Sequence, residues 1–166
     1  MAEKIIMGID PGTRKVGYAF LKKENALVTP LDFGLIRPPA SLPLIERLFI
    51  ILESLEKLVL KFQPEELAIE TQFVKKNVAV ALKLGMARGM AIAATCKNIK
   101  IPVFEYAPRK VKLAVVGSGV ASKIQVQKMM QILLKLSALP QEDAADALAI
   151  ALCHAYQNLN LEKNYV

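Results

Sequence analysis

The sequence predicts one mixed α/β domain, on three observations. Its 166 residues fill one ordinary domain and leave too little chain for two well-packed lobes. Short apolar runs bounded by turn residues open the chain, and later runs of the same kind alternate with stretches that keep a 3.6-residue apolar period. No repeat, low-complexity tract or linker interrupts that order. Apolar residues make up 54% of the chain and charged residues 22%, enough to bury a core without a disordered composition.

Lys4–Ile9 reads as a buried strand, stopped by the turn sequence Asp10-Pro11-Gly12. Val16–Leu21 and Leu27–Ile36 are rich in β-branched and aromatic residues and flank the polar Lys22-Lys23-Glu24-Asn25, so the opening is three antiparallel strands joined by hairpins. Arg37-Pro38-Pro39-Ala40-Ser41 breaks the pattern, and Ser41 is the expected N-cap of a helix that runs to Phe62 before Gln63-Pro64 ends it. Its stripe of Leu44, Leu48, Ile51, Leu52, Leu55, Leu58, Val59 and Phe62 marks a helix that covers a sheet. Glu66–Glu70 is a short strand, followed by a helix from about Asn77 to Cys96 and a strand at Ile101–Glu105. That β-α-β-α order implies parallel pairing. From Pro108 the chain is helical, with Gly117-Ser118-Gly119 parting a short helix from a longer one at Ser122–Leu136. A last helix runs from about Gln141 to Gln157. The domain is expected to span 1–160, with 161–166 as a short tail.

Cys96 and Cys153 stand in no metal-binding spacing and read as free thiols in a reducing compartment. Ile5-Ile6-Met7 is too short for a signal segment, and nowhere do about 18 uncharged apolar residues run together. The expectation is a soluble, cytoplasmic protein with no membrane partner.

The net charge of +7 favours a polyanionic partner, and its distribution says more. Residues 1–74 carry 9 basic and 10 acidic side chains, residues 75–135 carry 12 basic and only Glu105, and residues 136–166 carry 1 and 4. A solvated face is usually of mixed sign, so the cationic middle segment points to phosphate binding.

The acids in the flanking segments sit at the ends of apolar elements. Asp10 closes the first strand and Glu70 the fourth. Asp143 and Asp146 lie three apart at the start of an Ala-rich helix, on one face of it. Each has an ordinary reading: a turn residue, a solvated strand end, first-turn acids favoured by the helix dipole. Together they suit hard cations such as Mg²⁺ or Mn²⁺, which take oxygen ligands and complete their shell with water and substrate phosphate. Two such ions about 3.5–4 Å apart can support in-line attack of water at phosphorus. Cationic grip with carboxylate-held metals means phosphodiester hydrolysis.

These residues resemble those of the RuvC family of bacterial Holliday-junction resolvases. Gly8-Ile9-Asp10-Pro11-Gly12-Thr13 is similar to the family's opening motif, Ala68-Ile69-Glu70 with Phe73 to its second, and Asp143-Ala144-Ala145-Asp146-Ala147-Leu148-Ala149 to its last. The runs Ala81–Gly89 and Val103–Pro108 match in wording too, so the resemblance covers about Ile5 to His154. It implies an RNase H-like fold whose mixed five-stranded sheet, three antiparallel strands and then parallel ones, is flanked by helices. It further implies a homodimeric, Mg²⁺-dependent endonuclease, with Mn²⁺ as a substitute, that resolves four-way junctions by symmetric paired nicks in DNA recombination and repair.

By the resemblance, Asp10, Glu70, Asp143 and Asp146 bind two metal ions and are catalytic. Some relatives place a His where Asp143 stands. Lys112 and Lys123 contact the scissile-strand phosphates, with Lys123 stabilising developing charge. Arg109 and Lys110 add general electrostatic attraction. Phe73, in a polar surround with Lys75 and Lys76, suits stacking on an unpaired base, with a core or dimer-interface Phe as the alternative. A branch-migration complex of the RuvA and RuvB type is the implied partner.

Ala81, Gly85, Gly89 and Ala93 recur every fourth residue and allow close approach of either the chain's own sheet or the helix of a twin subunit. His154, the one histidine, lies 11 residues past Asp143, about 16 Å along a helix, and reads as a terminal surface or packing residue. Gly117-Ser118-Gly119 lacks the Gly-Lys-Ser/Thr of a P-loop and reads as a DNA-facing loop. The rival functions are an RNA-processing nuclease of the YqgF type, an ATP phosphotransferase with a similar Asp-x-Gly-Thr turn, for which the chain is too short, and a non-catalytic junction-binding scaffold.

Overall fold

Strand parity sets the layers of the molecule. The computed structural model describes residues 3–71, 77–97 and 99–162. In β1 (Lys4–Asp10), Ile6 and Gly8 face one side of the sheet and Met7 and Ile9 the other, as successive side chains must. Each side carries its own core. β2 (Val16–Glu24) runs antiparallel to β1, and β3 (Leu27–Ile36) antiparallel to β2. β3 is an edge strand, and its register with β2 slips beside Pro30, a residue that has no N–H to give. β4 (Glu66–Glu70) pairs in parallel with the other side of β1, and β5 (Val103–Tyr106) in parallel with β4. The order β3-β2-β1-β4-β5 is the mixed five-stranded sheet expected from the sequence.

Helices α1 (Leu44–Phe62) and α2 (Val78–Cys96) cover the Met7 and Ile9 side. There α1 buries Leu48, Ile51, Leu55 and Val59, and Phe62 stacks on Phe20 at 4.5 Å. On the other side α5 (Glu142–Glu162) lies against β1 and β2, with α3 (Pro108–Val116) and α4 (Lys123–Leu133) beside it. Burying a Leu or Ile side chain is worth about 1.5–3 kcal/mol, so these two layers hold the sheet between them.

Several boundaries differ from expectation for local reasons. Ser41 does not cap α1. The residue before a proline avoids the helical region, so Leu42 cannot begin the helix and Pro43 takes the cap position at φ −54°, ψ 155°. β2 continues through Lys22 and Lys23 to Glu24, because Ile5 and Lys4 extend their partner strand that far. β5 starts at Val103, after Pro102, and takes in Tyr106. α4 stops at Leu133, where Lys135 adopts φ 52° and the Leu136 N–H reaches the Gln131 carbonyl at 3.0 Å. This is a Schellman closure with lysine where glycine is usual. α5 begins at Glu142 and continues past Gln157 to Glu162, there being no Gly or Pro to stop it.

The helix starts expected near Asn77 and Ser122 are both capped. Ser122 and Gln125 form a reciprocal capping box at α4, and Asn77 accepts from the Val80 N–H at α2.

By length and composition α2 could cross a membrane, but it carries Lys83 and Arg88 and buries Ala87, Ala91, Ala94 and Thr95. Arg88 forms an ion pair with Glu105, the single acid of the cationic segment.

Candidate active site

The parity that builds the layers also builds the site. β1 and β4 are parallel, with Gly8 beside Ala68 and Ile9 beside Ile69, so the next residues, Asp10 and Glu70, end the two strands side by side. Counting in twos from Ile6 and Ala68 puts both on the α5 side, at the carboxyl ends of the strands where open α/β sheets bind ligands.

Two glycines bring α5 down onto that corner. A Cβ at Gly17 would overlap the Asp143 carbonyl oxygen, and one at Gly8 would overlap the Ala147 carbonyl oxygen. Only a residue without a side chain permits this approach. The first turns of α5 therefore rest on strand backbone and present Asp143 and Asp146 above Asp10 and Glu70. The four carboxylates, with Lys112 of α3 and Lys123 of α4, line one cavity of about 280 Å³.

The electrostatics of the cavity are those of crowded acids. Burial first, then the charge of Glu70 and a hydrogen bond with it, then Asp146 and Asp143, raise the Asp10 pKa far above the usual carboxylate range. Burial likewise raises Asp146 to about 6, with Lys123 opposing and Glu70, Asp143 and Glu142 adding. Cations approach from the rim. Lys15 forms an ion pair with Asp143, and Lys123 one with Glu142 that raises the lysine pKa and keeps it charged.

Among the described residues no three His, Cys, Asp or Glu side chains form a ready-made metal cage. The donor set nevertheless fits Mg²⁺ or Mn²⁺. Its donors are all carboxylate oxygens, such ions bind through one or two carboxylates while keeping several waters, and the crowding of acids that raises the Asp10 pKa is of the kind a bound cation relieves.

The structure thus gathers Asp10, Glu70, Asp143, Asp146, Lys112 and Lys123. Arg109 and Lys110 lie on the exposed side of α3 outside the cavity, the first packed by Gly119 and the second 5.4 Å over the Tyr106 ring. Phe73, Lys75 and Lys76 fall outside the described residues. His154 corrects one alternative of the sequence reading: it is 1% exposed and lies in a polar network, so it is a packing residue and not a surface one. The expected small-residue stripe of α2 does not meet the chain's own sheet, since Gly85 and Gly89 face open space. Lys15 and Glu142 were missed. Lys15 follows the Asp10-Pro11-Gly12 turn closely enough to return to the site, and Glu142 adjoins Asp143, but neither position marks itself in sequence.

Comparisons with known proteins identify the family. The family model for "Crossover junction endodeoxyribonuclease RuvC" matches residues 6–154. The protein of that name from Protochlamydia amoebophila is 50% identical over 162 residues, covering 97% of this chain and 96% of the relative. The one from Marinobacter nauticus is 53% identical over 154 residues, covering 93% and 87%. Among solved structures, Thermus thermophilus RuvC in complex with a Holliday junction substrate superposes with a TM-score of 0.86 at 32% identity, covering 95% of this chain and 96% of that one. With its strand order and its paired strand-end acids, the chain belongs to the crossover junction endodeoxyribonuclease RuvC family.

Proposed function

We propose that this chain is a structure-specific DNA endonuclease that resolves four-way junctions by symmetric paired nicks. One observation carries the reading: four carboxylates from β1, β4 and α5 share a cavity whose wall holds Lys112 and Lys123. The family is one of metal-dependent nucleases, and the relative from Thermus thermophilus is described with a Holliday junction bound.

Asp10, Glu70, Asp143 and Asp146 are the residues that would hold divalent metal, Mg²⁺ by their oxygen chemistry with Mn²⁺ as a substitute. When bound, the metal supplies a water of lowered pKa and charge neutralisation at the scissile phosphate. The residues themselves do the rest. Asp10 and Glu70, fixed on adjacent strand ends, set the floor of the site. Lys112 and Lys123 reach the phosphate from α3 and α4 and orient it, and Lys123, held charged by Glu142, faces the negative charge that builds up during hydrolysis. Arg109, Lys110, Lys75 and Lys76 extend the phosphate-binding surface, and Phe73 stacks on an unpaired base at the crossover.

Symmetric cutting needs two sites. On α2 the exposed Val78, Leu82 and Met86 adjoin Gly85 and Gly89, an apolar face with room for a second backbone, and a twin subunit seated there gives a homodimer. The single domain of residues 1–160 supplies one site per subunit, acting in the cytoplasm beside a RuvA and RuvB type branch-migration complex.

The test is a synthetic four-way junction incubated with wild type and Asp10→Asn, in Mg²⁺ and in EDTA. Symmetric nicks are expected only for wild type with metal. The variant keeps junction binding and loses at least about 10³-fold in rate, since a metal's contribution of several kcal/mol is worth tenfold per 1.4. Cutting in EDTA, or equal cutting by the variant, would refute the mechanism.

A further inference from the structure

A second polar cluster lies under α5, away from the cavity. His154 Nε2 is 2.7 Å from Glu66 Oε2, its Nδ1 is 2.6 Å from the Tyr106 hydroxyl, and Lys4 Nζ donates to Glu66 Oε1 at 2.7 Å. Phe104 packs on the imidazole, ring centroids 4.4 Å apart. The bond directions follow from the partners. Burial would raise the Glu66 pKa, but the bonds from His154 and Lys4 outweigh it and hold the carboxylate at about 2, so it accepts from Nε2–H. Burial raises the Tyr106 pKa to about 12, so its hydroxyl keeps its proton while it shares the hydrogen bond with Nδ1.

Elsewhere α5 meets the sheet through apolar and backbone groups, with Leu148 and Leu152 buried in one core with Ile6, Leu21 and Ala68. Ala147 and Ala151 meet the bare backbone of Gly8, and the carbonyl of Asp143 meets that of Gly17. Apolar contact is non-directional, so the sideways and axial position of the helix gains from a directional determinant. Hydrogen bonds supply one, because they are short and directional. His154 lies eight residues past Asp146, about 12 Å along a rigid helix, so a shift at one is felt at the other. Tyr106 is also the register partner of Glu70 in β5, and its carbonyl accepts the N–H of Thr71, the next residue, at 3.0 Å. One residue therefore refers both α5 and the strand end of Glu70 to the same place.

We propose that His154, through Tyr106 and Glu66, is a positioning residue that fixes α5 on the sheet and so sets Asp143 and Asp146 against Asp10 and Glu70. The proposal rests on the reading of those four acids as the metal site.

The test compares wild type, Tyr106→Phe, His154→Leu and Asp10→Asn. Melting is recorded first, then Mn²⁺ affinity by calorimetry without DNA, then junction Kd, KM and kcat in Mg²⁺. Tyr106→Phe keeps the ring and removes only the hydroxyl, so it carries the test if His154→Leu fails to fold. Both are expected to bind junction within about twofold of wild type, with Mn²⁺ affinity and kcat each down about tenfold and KM unchanged, the lower end of what loss of an outer-shell partner costs. A lower melting temperature with wild-type Mn²⁺ affinity and kcat would overturn the proposal and leave the network a stabilising one. Asp10→Asn separates the two readings: if it binds Mn²⁺ as wild type does, the metal site itself is misassigned and the positioning role falls with it.

Discussion

β1, β4 and α5 carry polar groups at both ends of their contact, on the same side of the sheet, and the two ends obey opposite rules. At one end stand Lys4, Glu66 and His154, joined by Tyr106, each bonded to another. At the other stand Asp10, Glu70, Asp143 and Asp146. Burial works against the charged carboxylate at both. At the first end partners outweigh it and Glu66 stays ionised; at the second, neighbours of like sign reinforce it, and Asp10 and Asp146 are pushed up. Partners, and not depth, decide the sign. The first end is complete as it folds. The second gathers four acids of like sign, with Lys123 at its rim.

The contrast can be broken in several places. Lys123→Ala removes the cation that α4 places on the wall of the acidic cavity and is expected to lower kcat about 10²-fold in saturating Mg²⁺ while junction affinity changes little, measured by single-turnover cleavage. Gly8→Ala puts a methyl group against the Ala147 carbonyl and forces α5 off the sheet. It should cost about 1–3 kcal/mol in denaturant unfolding and lower cleavage too, because Asp143 and Asp146 move with the helix.

The smallest effect is on pH dependence in EDTA, where the two ends should slope in opposite directions. Asp146 keeps its proton in the folded state up to about 6 and loses it near 3.8 when unfolded, so stability falls as pH rises between those values. Glu66 stays ionised in the folded state down to about 2 and takes a proton near 4.5 when unfolded, so stability falls as pH drops through that range. Asp146→Asn should flatten the first slope only, and Glu66→Gln the second only, in melting curves taken from pH 2 to 7.

Much of this layout was legible in the sequence because it rests on local signals. Strands ending in Asp10 and Glu70, helices with a 3.6 period and the helix start at Ser122 all announce themselves within a few residues. The rest depends on distance along the chain. His154 reads as an ordinary helix residue because its partners Tyr106 and Glu66 are 48 and 88 residues away. Pro43 displaces the Ser41 cap through a steric rule acting on Leu42, and Lys135 ends α4 in a left-handed conformation that a non-glycine residue does not advertise. Lys15 enters the site only because β1 and β2 fold back on each other and α5 settles on Gly17. The roles of Phe73, Lys75 and Lys76 rest on the resemblance alone.

The central claim is that the acidic end is held together at the expense of stability until a divalent cation joins it. Its most direct measurement is the melting temperature of wild type and Asp10→Asn at neutral pH, each in EDTA and in Mg²⁺. Asp10→Asn is expected to melt above wild type in EDTA, because the folded state no longer has to hold a proton on a buried carboxyl that ionises in the unfolded chain, and Mg²⁺ is expected to raise wild type alone. A wild type indifferent to Mg²⁺, or a variant that melts lower than wild type in EDTA, would contradict it.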